Sequence, residues 1–224
     1  MKKKVVFGLV AALTLLFVAG GLYASNMGFK LNYVLDGSGT NGSLNGTNTI
    51  ALPFNQQTDL VDAFDLINDI GTTTAVASIA EFDRTSNGFA GYTGTSGTPF
   101  ALTPGDAYLV RLQPGVPSVN YIIVGSHDPG LVLNFDGGGT NGSLNGTNFY
   151  GYPYHSTSTG ADELITELGG TASISSVAQF DRTSNGFAGY TGTSGTPFPL
   201  EPGKGYLVQV QPGVPSVSFV PSHF

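Results

Sequence analysis

Apolar residues alternate with polar or small ones at Leu31, Tyr33 and Leu35, at Tyr108, Val110 and Leu112, and at Val119, Tyr121 and Ile123. The same spacing returns at Leu131, Leu133 and Phe135, at Tyr206, Val208 and Val210, and at Val217 and Phe219. A period of two is that of a strand with one buried face, so each segment predicts a strand. Residues 49–52 read as a further strand. Residues 59–70 carry the helical period instead. They predict a helix capped by Thr58, with Leu60, Val61, Phe64, Ile67 and Ile70 inward and Asp62, Asp65 and Asp69 toward water. Residues 161–168 are its shorter counterpart and keep Leu164, Ile165 and Leu168. Asn-Gly pairs at Asn41, Asn45, Asn87, Asn141, Asn145 and Asn185 mark tight turns, and residues 84–88 read as a hairpin tip between Phe82 and Tyr92.

The recurrence of these elements is an internal duplication. GTNGSLNGTN stands at 39–48 and again at 139–148; DRTSNGFAGYTGTSGTPF at 83–100 and 181–198; QPGVPSV at 113–119 and 211–217. The offset drops from 100 to 98 between the first and second blocks, so the second copy is two residues shorter near its helix. Modules 25–128 and 129–224 follow, joined by the short link Asp128-Pro129-Gly130, after an address segment at 1–24. The expected fold is mostly β, sandwich-like in the α+β sense: two tandem homologous modules, each with several antiparallel strands and one short helix.

Identity is patchy. The helix diverged, whereas the polar hairpin did not change at all. A shared binding or packing surface would demand such constancy, and partial gene conversion would also leave it. The candidate interaction surface is therefore Arg84, Asn87, Phe89 and Tyr92 with their copies Arg182, Asn185, Phe187 and Tyr190.

The N-terminus has three lysines at 2–4, then 18 uncharged residues, then a small residue at Ala24, the layout of a secretory signal peptide. The other reading is an uncleaved anchor, since the stretch sits at the lower limit for spanning a bilayer. Export to the outside or surface of a bacterial cell is expected, with no membrane contact after cleavage.

Charge narrows the function. Eight basic residues against fifteen acidic ones give a net charge of −7, with three of the eight in the leader. That leaves no basic patch to displace counterions from a phosphate backbone, so nucleic-acid binding is excluded. No cysteine is present, so disulfides and thiolate chemistry are excluded too. GSGTNG at 37–42 matches a dinucleotide fingerprint after a strand, but another turn follows where a helix is required, and no cofactor is expected. Each Gly/Asn-rich loop offers one carboxylate, Asp36 or Asp136, where calcium prefers several. No metal site is assigned. Of His127, His155 and His223, the first and last end their modules in similar Ser-His contexts and read as strand-end residues rather than bases. No G-x-S-x-G elbow exists, and Glu81 beside Asp83 becomes Gln179 beside Asp181 in the second copy. A carboxylate pair therefore does not recur, and no enzyme is expected.

IALP at 50–53, LTPGDAYLV at 102–110 and LEPGKGYLV at 200–208 resemble a repeat module of secreted and surface-layer-associated bacterial proteins, whose L-x-P-G-x-G-Y-W-V pattern leads into a core strand. Here Leu109 and Leu207 replace the tryptophan. The resemblance implies a structural or accessory role with no characterised activity. The leading expectation is a non-enzymatic structural protein that associates with itself or other surface proteins. One version has residues 31–36 completing module two of the next subunit, giving a filament. The alternative is a carbohydrate- or surface-binding adhesion module that uses the hairpin aromatics as platforms for glycans.

Overall fold

A computed structural model describes residues 28–56, 60–126, 128, 130–154 and 156–221. The address segment at 1–24, the Thr58 cap and the three histidines lie outside the described residues.

Module one contains strands β1 (Phe29–Asp36), β2 (Thr47–Ala51) and β3 (Asn55–Gln56), helices α1 (Ala63–Ile70) and α2 (Thr72–Ala75), then β4 (Val76–Asp83), β5 (Gly88–Tyr92), β6 (Ala107–Leu112) and β7 (Ser118–Ser126). Module two repeats the plan with β8 (Leu133–Asp136), β9 (Thr147–Gly151), helix α3 (Ala161–Glu167), β10 (Ile174–Asp181), β11 (Gly186–Tyr190), β12 (Gly205–Val210) and β13 (Ser216–Phe219). Each module has one antiparallel four-stranded sheet, in the orders β2-β6-β4-β5 and β9-β12-β10-β11. Each also has a smaller sheet, β1-β7-β3 or β8-β13. The protein is mostly β and sandwich-like.

The inward residues of the alternating strands build the cores. Leu31, Tyr33 and Leu35 meet Tyr121, Ile123, Val110 and the helix residues Leu66 and Ile67 in module one. Phe135, Tyr150, Leu164, Val208 and Phe219 form the matching core of module two. A bulge between Val76 and Ser78 recurs between Ile174 and Ser176, so even the irregularity of the sheet is duplicated.

Two expectations are corrected. The first helix begins at Ala63 rather than at residue 59. Asp62, held extended by a bridge to Ala101, accepts from the Phe64 amide at 2.8 Å and the Asp65 amide at 3.0 Å, so the chain turns helical only there. The later start rotates the buried face to Ala63, Leu66, Ile67 and Ile70, and leaves Val61 and Phe64 exposed. Asp69 is not simply solvated, because it accepts from the Tyr121 hydroxyl at 2.9 Å. The second correction concerns strand exchange. β1 pairs along its whole length with β7 of its own module, and β8 pairs with β13. Neither module lacks its first strand, and the filament built on a free one loses its basis.

The hairpin edges are blunted by their own loops. Thr93 donates to the Ser96 carbonyl at 3.0 Å and folds the GTSGT loop against β5. A Cβ at Gly97 would stand 2.6 Å from the Gly91 carbonyl oxygen, so only glycine permits the approach. The second copy repeats this at Thr191, Ser194 and Gly195.

Candidate functional site

The two modules meet around a pseudo-two-fold axis, and the identical segments make the junction. Arg84, in the turn after β4, donates to the Asp136 carboxylate of module two; Arg182, in the turn after β10, donates to Asp36 of module one. Both carboxylates are buried, and each is fixed from within its own loop. Asn41 donates to Asp36 at 2.9 Å and Asn141 to Asp136 at 2.8 Å. Asn48 and Asn148 bracket the backbone of the same aspartates. The single carboxylate of each Gly/Asn-rich loop is thus engaged with an arginine and an asparagine. Backbone bonds repeat the reciprocity: Leu44 N–H to the Arg182 carbonyl at 2.9 Å, and Leu144 N–H to the Arg84 carbonyl at 2.8 Å.

The axis itself passes between Phe89 and Phe187, whose rings stack at 5.8 Å and 3°. Phe149 lies edge-on to both, at 5.3 and 6.0 Å. Of the eight candidate surface residues, the structure brings the two arginines and two phenylalanines into this junction. Asn87 and Asn185 serve the hairpin turns, both at φ 53°. Tyr92 and Tyr190 fold back to donate to the Gly94 and Gly192 carbonyls at 3.1 Å.

Beside the junction lie two recesses that are copies of one another. The larger, about 560 Å³, is bounded by β4, β6 and β8 and includes Glu81, Phe82, Arg84, Thr103, Asp106 and Tyr108. The smaller, about 130 Å³, has Gln179, Phe180, Arg182, Glu201, Lys204 and Tyr206 at the six equivalent positions. The aromatic and arginine positions are kept while the ionisable ones are changed.

The charges differ accordingly. In the larger recess, burial pushes the Asp106 carboxyl up to about 6, with Arg84 opposing and Glu81 reinforcing the shift. Asp106 sits in the recess yet keeps a solvent-exposed side, so only part of that shift reaches the stability of the fold. Glu81 is raised by burial and by Asp83. Asp83 itself is held down at about 2 by the hydroxyls and amides of Ser86 and Thr85, which makes it the cap of the turn. In the smaller recess, burial lowers Lys204, while Glu201 and Asp36 hold its charge up.

Sequence reasoning did not single out Asp106, Glu201 or Lys204. The signal was present in the duplicated motif, where TPGDAY stands against EPGKGY. Among the described residues no cluster of carboxylates and imidazoles is arranged to hold a metal ion. No helix among them is long and apolar enough to cross a membrane. No family model, curated protein or solved structure matches the chain.

Proposed function

We propose that the protein is a secreted, non-enzymatic structural unit of a bacterial cell surface or extracellular matrix, in which two modules act as one rigid block. The observation that carries this reading is the reciprocal clamp. Arg84, Phe89 and the 39–48 loop, with their copies, are constant between the modules and are where each module grips the other, which supports a duplication that serves mechanical coupling. Assembly with further copies is supported by Leu44 and Leu144. These leucines are 59% and 63% exposed, occupy identical loops, and are pinned through their backbones to the opposite hairpin. Two rigid apolar knobs related by a pseudo-two-fold give a bivalent contact.

Light scattering and negative-stain microscopy on secreted residues 25–224, across concentration, test the reading. Sheets, fibres or discrete oligomers that disappear in the Leu44→Ser/Leu144→Ser variant are expected. A monomer at every concentration would overturn it. The glycan-binding alternative draws no support from Phe89 and Phe187, because each covers the other's face.

A further inference from the structure

The two recesses differ in volume and in charge for the same reason. At the position of Lys204, which carries an ammonium group into the smaller recess, the larger one has Asp106. At the position of Tyr33, whose ring packs over the Gly203 turn and donates to the Ala51 carbonyl, the second copy has Leu133, which packs over the Gly105 turn. A phenol and a lysine side chain thus occupy, in one copy, space that the other leaves open. The smaller recess balances its own charge: Arg182 and Lys204 against Asp36 and Glu201. The larger sets Arg84 alone against Asp136, Asp106 and Glu81. It has the greater volume, an aromatic wall in the half-buried Phe82, and two more carboxylates than cations.

We propose that the recess bounded by Glu81, Asp106 and the Arg84–Asp136 pair binds a small organic ligand through a primary ammonium group. The ammonium takes the place that Lys204 holds in the second copy, and the body of the ligand lies on Phe82. Charge-assisted hydrogen bonds from an ammonium to paired carboxylates supply the affinity, and the aromatic wall supplies the fit. The site does not depend on whether the protein assembles.

The test is titration of the exported chain, isotope-labelled, with 1,4-diaminobutane, glucosamine and glucose, followed by amide chemical shifts. Both amines should give saturable shifts along β4, β6 and β8, whereas glucose, which matches glucosamine in shape but is uncharged, should give none. Asp106→Asn should weaken amine binding about ten-fold. Asp106→Lys, which installs the second copy's own cation, should abolish it while the remaining spectrum stays folded. Absence of saturable shifts with either amine, an equal response to glucose, or full affinity in folded Asp106→Lys would each overturn the proposal. So would tighter saturation of the same amides by calcium, which would make the site one for a metal ion.

Discussion

Arg182→Met is the perturbation that tests the coupling of the two modules most directly. The Asp36 carboxylate that Arg182 holds is only 5% exposed, whereas the arginine side chain is 34% exposed. Removing the guanidinium therefore leaves a buried charge with Asn41 as its remaining side-chain donor and Lys204 as the neighbouring cation. Stranding one partner of a buried pair costs about 3–5 kcal/mol. Water at the exposed side of this pair and the neighbouring Lys204 charge bring the expectation down to about 1–3 kcal/mol. The Leu44 amide bond to the Arg182 carbonyl involves only backbone and survives the change. Against a total stability of about 5–15 kcal/mol the loss should be large in urea unfolding followed by far-UV circular dichroism. Asp36→Asn added to Arg182→Met removes the stranded charge, so the double variant should be more stable than the single one by about 1–2 kcal/mol. An Arg182→Met cost below about 0.5 kcal/mol, or a double variant no better than the single, would refute the account of a buried clamp.

Three further outcomes follow from the same geometry. Gly151→Ala places a Cβ 2.6 Å from the Asp106 carbonyl oxygen and 2.9 Å from Ala51 Cβ, so it should destabilise the junction by about 1–3 kcal/mol in the same urea assay. Asp106 is a carboxyl whose folded value, about 6, lies above its unfolded value of about 3.9, so the folded state takes up its proton first. Its contribution to stability should rise as pH falls from 7 through 6 and level off below about 4, and Asp106→Asn should remove that slope from a plot of urea midpoint against pH. Asp62→Ala should cost about 1 kcal/mol through loss of the cap on α1, read as a lower thermal midpoint.

The strands and the duplication were legible because both are written in local patterns. Leu31, Tyr33 and Leu35 alternate, and all three are buried. The error in the helix shows where local reading fails. Phe64 looks inward by hydrophobicity alone, but its counterpart at the 98-residue offset is Asp162, which no core would accept. Aligning the copies would have placed the buried face on Ala63, Leu66, Ile67 and Ile70, which match Ala161, Leu164, Ile165 and Leu168. The reciprocal clamp was beyond reach for another reason. Arg182 and Asp36 are 146 residues apart, and nothing in the spacing of either one specifies a partner across a module boundary. The hairpin was singled out from its constancy, but constancy does not say which surface it faces.

That constancy has a spatial explanation. The 39–48 loop of one module receives the hairpin tip of the other, so Leu44 meets Arg182 and Leu144 meets Arg84. The third repeated block, at 113–119 and 211–217, lies under the same loops: Gly37 donates to the Pro117 carbonyl and Gly137 to the Pro215 carbonyl, each at 2.8 Å. The three blocks are distant in sequence but contiguous in space, and they form the same patch twice. A substitution in one tip must be accepted by a loop in the opposite module, while the matching tip still faces an unchanged loop. Such reciprocal packing penalises change at the positions that cross the junction. The recesses alongside are free of that constraint, and it is there that Glu81 faces Gln179, Thr103 faces Glu201 and Asp106 faces Lys204 in alignment. The constant surface couples the modules, and the variable recess beside it is where the two copies took up different chemistry.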